Sequence, residues 1–177
     1  IGLVVIMIRA VCFDLFHTLI DVGQVPDEVG RYTADILGLD RDDWNRSCFS
    51  SYHEIRKTTR HLDVIRALAH SINPNIPLHL IEQAVAHRQR RFDHALTHVG
   101  DEVLDVLDKL RGLGLRLALI SNASTAEVSA WPESPMKELF DTALFSCHCG
   151  QAKPDVQIYQ MAANELGVDP QQCWFIG

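Results

Sequence analysis

The chain has 177 residues, 47% of them hydrophobic and 22% charged, and its formal net charge is −7. These values are typical of a globular protein with one domain, or one domain and an insert. The acidic balance excludes the basic surface that nucleic-acid binding requires, so no nucleic-acid partner is expected. Five cysteines, an odd number, indicate a reducing cytoplasmic location rather than a disulfide framework.

The N-terminal residues 1–8 are apolar, but this run is far too short to span a bilayer. It also lacks the basic region that begins a secretory signal, so we expect no membrane partner. Met7 followed by Ile-Arg-Ala resembles a natural start. Residues 1–6 are therefore expected to lie upstream of the native protein.

The first predicted strand is a buried apolar run that ends at a carboxylate. Val11, Cys12 and Phe13 suit a strand that is buried on both faces of a parallel sheet. Asp14 follows directly, and a carboxylate in mid-strand would carry a heavy desolvation cost. We therefore expect Asp14 at the C-terminal end of the strand, in the crevice where such sheets bind ligands.

The next part of the chain, residues 22–97, shows only helical periodicity. Residues 22–27 contain Gly23 and Pro26 and indicate a loop. Four apolar stripes at helical spacing follow, with no strand signal between them. The stripes are Val29, Tyr32, Thr33, Ile36 and Leu37; Trp44, Cys48, Tyr52 and Ile55; Leu62, Ile65, Leu68 and Ile72; and Leu78, Ile81, Val85, Arg88, Phe92 and Leu96. This predicts a helical block inserted after the first strand.

From Gly100 onward, predicted helices and strands alternate. A helix capped by Asp101 precedes a strand over 115–120, and the capping-box pattern Ser124–Glu127 begins another helix. A short strand lies within 140–147. The order then continues with a helix that has Pro154 at its first position and closes at Gly167, and with a strand over Cys173–Ile176. This alternation predicts right-handed crossovers and a parallel sheet, so the fold class is α/β.

Three polar signals follow three of the predicted strands: Asp14, the pair Ser121-Asn122, and Lys153. Parallel strands place all of them at one edge of the sheet. A carboxylate beside a lysine stays ionised and can act as a nucleophile, forming an ester that water hydrolyses. Ser121 and Asn122 would position the transferred or leaving group, and the helix start near Ser124 suits an anion. The pattern predicts a small anionic substrate.

The order and spacing of these motifs resemble the haloacid dehalogenase-like hydrolase superfamily with a helical cap of the first type. The motifs that carry the resemblance are Asp14-Leu-Phe-His-Thr18, Leu-Ala-Leu-Ile-Ser121-Asn122-Ala and Lys153-Pro154-Asp155, and they extend it over nearly the whole chain from about Arg9. The resemblance implies a Rossmann-like core formed by residues 1–21 and 98–177. Residues 22–97 would be a mobile cap that closes the site and selects the substrate.

The resemblance also implies a role for each matched residue. Asp14 would be the nucleophile, Thr18 would support its loop, Ser121 would bind the transferred group, and Lys153 would orient Asp14.

One departure from the family pattern leaves the reaction type open. Phosphatases of the family have a second aspartate two residues after the nucleophile, where this chain has Phe16. Phenylalanine cannot transfer a proton, and loss of such a group typically costs about 10²–10⁴-fold in rate. An aromatic residue here resembles the 2-haloacid dehalogenases, which expel halide without protonating it and need no cofactor. His17 is an alternative proton donor if its side chain faces the site.

Two further readings stay open. In a phosphatase, Mg²⁺ would be held by Asp14 and the backbone carbonyl of Phe16. The family's fourth motif, with acidic residues, would begin at Gly177, where the sequence ends. The sequence lacks this fourth motif and has Phe16 in place of the second aspartate. Both features also fit a catalytically silent binding protein. The oligomeric state is open as well.

Overall fold

The computed structural model describes residues 7–177, so the expectation about residues 1–6 lies outside the described part. Its centre is a four-stranded parallel sheet in the order β3-β2-β1-β4. The strands are β1 (Ala10–Phe13), β2 (Arg116–Ser121), β3 (Thr142–Phe145) and β4 (Cys173–Ile176). The predicted α/β class with a Rossmann-like parallel core is confirmed.

Helices flank this sheet and also form the long connection between β1 and β2. They are α1 (Thr33–Leu37), α2 (Arg41–Cys48), α3 (His61–Ile72), α4 (Leu78–Thr97), α5 (Asp101–Gly112), α6 (Ser146–Cys149) and α7 (Val156–Leu166). Short 3-10 turns lie at Val22–Gln24, Thr125–Val128, Trp131–Glu133, Lys137–Leu139 and Pro170–Gln172.

Strand β1 is buried on both faces because its neighbours and the helices cover it completely. It pairs with β2 on one side and with β4 on the other. Val11 and Phe13 share an apolar cluster with Leu107 of α5. Cys12 belongs to a second cluster with Ile158 of α7. Since alternate residues of a strand face opposite sides, packing on both faces holds β1 and the residue at its end in place.

Helices α1–α4 bury an apolar cluster of their own, which contains Trp44, Ile65 and Leu68. Helix α4 reaches beyond that cluster, since its C-terminal Leu96 packs with the sheet. The two segments that join these helices to the sheet run side by side. Residues from 19–26 and from 94–103 together line a cavity of about 350 Å³.

Two predicted helices are shorter than expected. One apolar stripe predicts a helix that continues to Tyr52 and Ile55, but helix α2 ends at Cys48. It ends there because the Ser50 hydroxyl donates to the Ser47 carbonyl and accepts from the Tyr52 N–H. Such side-chain bonds compete with a continuing helix. The capping box Ser124–Glu127 forms, but it closes only the 3-10 turn Thr125–Val128.

The predicted start of the last helix at Pro154 is wrong. Helix α7 begins at Val156, and Asp155 is its N-terminal cap residue. The Asp155 N–H donates to the Ala152 carbonyl at 2.8 Å, so residues 152–155 form a turn before the helix. The Lys153–Pro154 peptide bond is cis.

Within residues 7–177, no helix has the length and apolar character needed to cross a membrane.

Replacement of Leu119 by alanine tests the packing of the sheet. Leu119 lies in β2 and is completely buried, so we expect the substitution to lower the free energy of unfolding by about 2–5 kcal/mol. Leu113→Ala is the matched control because Leu113 is 77% exposed; it should change stability by about 0.5 kcal/mol or less. Urea denaturation followed by circular dichroism measures both, and equal effects would contradict the burial described here.

Candidate active site

The end of β1 carries an ion pair between Asp14 and Lys153. The Lys153 Nζ lies 2.6 Å from Asp14 Oδ1, and the two side chains are 14% and 25% exposed, respectively. The Leu15 N–H donates to the same oxygen at 2.7 Å. Among the described residues, no hydrogen bond is made to Asp14 Oδ2. One oxygen therefore fixes the carboxylate while the other is available to a reactant.

Asn122 braces the loop that carries Lys153. Its side-chain amide donates to the Lys153 carbonyl at 2.8 Å, and its side-chain oxygen accepts from the Lys153 N–H at 2.7 Å. Both halves of the amide group are thus engaged by one backbone unit. The sequence predicts that Asn122 positions the substrate, whereas its contacts position Lys153.

The structure brings Thr18 to the site but keeps Ser121 out of the cavity. Thr18 and Asp14 both pack against Gly177, where an added Cβ would lie 2.5 Å from the Asp14 Cβ and 3.0 Å from the Thr18 Oγ1. Gly177 also has φ +135, a conformation that suits glycine. Ser121 is completely buried, and its Oγ has no hydrogen-bond partner within residues 7–177.

A cavity of about 740 Å³ opens above the ion pair. Its polar floor contains Asp14, Thr18, Asn122 and Lys153. Aromatic residues form much of the facing wall: Phe16, Tyr32, Trp44, Phe49 and Phe92. The rings of Phe16 and Phe92 meet edge to face, with centroids 5.3 Å apart. The cavity therefore combines a fixed carboxylate and ammonium with an apolar wall, a usual composition for small-molecule sites.

His17 also borders the cavity, but its side chain is 72% exposed. Its Nδ1 lies 3.6 Å from Asp21 Oδ1. The residue has φ +62, which is uncommon for a side chain other than glycine. These contacts direct the imidazole toward Asp21 and do not favour His17 as the proton donor of the site.

A buried group of charges, Glu127 with Arg88 and His53, forms another part of the wall. Arg88 Nη2 lies 2.5 Å and His53 Nε2 lies 3.3 Å from Glu127 Oε1. Burial by itself would raise the pKa of Glu127, but His53, Arg88 and the Ser124 N–H hold it well below its usual value. Burial opposes protonation of His53, yet the Glu127 carboxylate and the Cys48 carbonyl raise its pKa.

Sequence reasoning did not assign these charges to the site. It placed Arg88 in an apolar helical stripe and Glu127 in a capping box. A charged residue within an apolar stripe was the available signal for Arg88.

Comparison with known proteins identifies the family. The model of the haloacid dehalogenase-like hydrolases matches residues 8–177. The chain belongs to this family. Curated relatives are 25–28% identical to this hydrolase, which covers 74–76% of their length.

Relatives named for different activities have the same sequence identity to this chain. The (S)-2-haloacid dehalogenase 4A of Burkholderia cepacia is 25% identical over 96% of this chain and 74% of its own. The glyceraldehyde 3-phosphate phosphatase of Methanopyrus kandleri is 25% identical over 97% of this chain and 76% of its own. The crystal structure of a dehalogenase superposes with a TM-score of 0.66 at 24% identity, covering 98% of this chain and 78% of that one. The predicted family and fold are confirmed, and the hydrolase type is unresolved.

Phosphatases of this family are expected to bind a magnesium ion, so we compared the oxygen atoms near Asp14 with what such an ion needs. Asp14 is paired with Lys153, and Phe16 offers only its carbonyl oxygen. Mg²⁺ is usually held by one or two carboxylates together with water and substrate oxygens. Residues 7–177 contain no group of three or more His, Cys, Asp or Glu placed to hold a metal ion. The described residues do not by themselves fit a Mg²⁺ site.

The depressed pKa of Glu127 predicts a loss of stability in acid. Because the native carboxyl group has a pKa below its usual 4.5, its contribution is complete above that pH and is lost as the pH falls. Each pH unit in that range removes about 1.4 kcal/mol per such group. We expect the double variant Arg88→Met/Glu127→Gln to show a shallower loss between pH 5 and pH 3, measured by urea unfolding.

The control for this prediction is Glu138→Gln, since the Glu138 side chain is 87% exposed. It should retain the pH dependence of the wild type. Equal slopes for the double variant and the wild type would show that Glu127 does not titrate abnormally.

Proposed function

We propose that this hydrolase uses Asp14 to displace halide from a small 2-haloacid. The observation that carries the proposal is Phe16, two residues after Asp14, whose ring packs against Phe92 at the cavity wall. A phosphatase needs a proton donor near this position for its leaving group. A halide ion leaves without a proton, so an aromatic residue is compatible with its departure.

In the proposed reaction, Asp14 Oδ2 attacks the carbon that carries the halogen. The carbon–halogen bond breaks, halide leaves with its electron pair, and the substrate becomes esterified to Asp14. Water then attacks the ester carbonyl carbon. This step regenerates the carboxylate and releases the 2-hydroxy acid and a proton.

Lys153 supports both steps of this reaction. Its ammonium holds Asp14 Oδ1 at 2.6 Å, which fixes the direction from which Oδ2 approaches the carbon. It also offsets the negative charge of a bound carboxylate substrate. Asn122 acts on Lys153 through two backbone hydrogen bonds and is a positioning residue in this proposal. Thr18 supports the loop that follows Asp14. Ser121 can bind the substrate only if the site rearranges to expose its hydroxyl.

We assign residues 22–97 as the cap of this enzyme, with residues 1–21 and 98–177 as its core. Helices α1–α4 have an apolar cluster separate from the two that cover the sheet. The cavity has Asp14 and Lys153 on one side and Trp44 and Phe92 on the other. Its closure by the helices would exclude water from the first step.

A cytoplasmic location fits the thiol chemistry of the chain. All five cysteines are free, and Cys12 and Cys147 are buried. Free thiols persist in a reducing compartment.

Halide release tests the dehalogenase proposal. The purified protein is incubated with each enantiomer of 2-chloropropionate in the presence of EDTA, and chloride is measured. We expect release from one enantiomer without added metal. Asp14→Asn should lower the rate by at least about 10³-fold because it removes the nucleophile. Asp105→Asn, an exposed carboxylate on α5, is the matched control and should leave the rate unchanged. Absence of chloride release with the folded protein would refute the proposal.

A phosphatase is the second candidate, and Arg88 favours it. Its guanidinium lines the cavity and suits a phosphorylated substrate. Phosphate release from an aryl phosphate, with and without Mg²⁺, distinguishes this candidate. Turnover that requires Mg²⁺ and disappears in Asp14→Asn would establish it. A folded protein that releases neither chloride nor phosphate would point to the silent binding protein.

A further inference from the structure

We propose that Glu127 is a positioning residue that holds helix α4 and the segment between α2 and α3 against the turn that follows β2. The inference rests on the proposed assignment of residues 22–97 as a cap. It concerns how the closed arrangement is maintained, and it does not depend on which leaving group the enzyme expels.

The two oxygens of Glu127 bind different parts of the molecule. Oε1 faces Arg88 of α4 at 2.5 Å and His53 of the segment after α2 at 3.3 Å. Oε2 accepts from the N–H of Ser124 at 2.8 Å. Ser124 follows Asn122 by two residues, and Asn122 braces Lys153. One carboxylate therefore connects the helical region to the turn that follows the site strand β2.

Other contacts converge on the same turn, Thr125–Val128. The Gln89 side-chain amide donates to the Ala126 carbonyl at 3.0 Å and to the Ser129 hydroxyl at 2.8 Å. The Thr59 N–H donates to the Thr125 hydroxyl at 3.3 Å. The helical region therefore docks on the core at this turn.

The charged side chains of Glu127 and Arg88 are buried only while the helical region is docked. The side chains of Glu127, His53 and Arg88 are 5%, 11% and 12% exposed. Buried charges are tolerated only while they are paired, and removing one partner leaves the others without compensation. Loss of the Glu127 charge should therefore disfavour the docked arrangement selectively, because undocking returns the unpaired Arg88 guanidinium to water.

His53 is a structural member of this group and not its proton carrier. Its Nδ1 lies 2.8 Å from the Cys48 carbonyl oxygen, and its Nε2 faces Glu127. Both ring nitrogens thus face protein acceptors, and neither is directed at a substrate. Arg88 is fixed from a second side as well, with its guanidinium carbon 4.5 Å from the Phe92 ring centroid.

Hydrogen–deuterium exchange of the whole chain, read by mass spectrometry without substrate, tests the proposal. The variants are Glu127→Gln and the control Asp155→Asn. Asp155 pairs with Arg56 across the same two regions, but that pair is largely exposed, with side chains 35% and 49% accessible. Exposed pairs contribute little to stability.

We expect Glu127→Gln to accelerate exchange about tenfold in peptides covering 49–60 and 122–129, through more frequent local opening, while β1 and β2 stay protected. Asp155→Asn should resemble the wild type. Unchanged exchange in Glu127→Gln would overturn the proposal, and so would an equal loss of protection throughout the sheet.

If Glu127→Gln fails to fold, Arg88→Met replaces it, since it removes the other partner of the pair and leaves the buried Glu127 carboxylate without its arginine. The same local acceleration is expected there, and wild-type exchange would overturn the proposal.

A kinetic measurement separates this role from general stabilisation. Where turnover is detected, Glu127→Gln should raise KM in inverse proportion to the docked fraction and leave kcat within about twofold, because only the docked fraction binds productively. A lowered kcat with unchanged KM would contradict the proposal. The exchange result stands whether or not chloride or phosphate is released, so the docking role and the proposed function can fail independently.

Discussion

The ion pair between Asp14 and Lys153 depends on the strand order of the sheet. Asp14 ends β1, whereas Lys153 follows β3, and β2 lies between these two strands. The lysine must therefore reach across the end of β2. Asn122, at that end, binds both backbone groups of Lys153 and fixes the crossing. The carboxylate, the amide and the ammonium thus form one unit in which each group sets the position of the next.

Burial explains why this unit is rigid. Strand β1 is covered on both faces and paired on both edges, so the backbone that carries Asp14 has little freedom. On the opposite side of the cavity the aromatic wall comes partly from helices with a separate apolar cluster. The reactive groups and the wall that faces them are consequently held by different cores, and contacts such as Arg88 with Glu127 join the two.

Local signals explain what the sequence could predict. An apolar run ending in Asp14, and polar residues at the ends of later strands, are visible in short windows of sequence, so the sheet and its polar edge were predictable. The early end of α2 depends on hydrogen bonds of Ser50, which periodicity does not show. The pairing of Arg88 with Glu127 joins residues 39 positions apart, and only the folded chain brings them together. Asn122 was expected to touch the substrate because the sequence gives its position but not the direction of its amide.

The adjacent connections between helices and sheet have a mechanical consequence. Residues 19–26 and 94–103 line one small cavity, so the chain passes between the two regions at a single place. With residues 22–97 as the proposed cap, movement of the helices relative to the sheet would pivot about these neighbouring connections. Arg88 precedes Thr97, the end of α4, by nine residues, or about 14 Å along the helix axis. A rotation of α4 about the connections would therefore displace the Glu127 contact farther than the residues near Thr97.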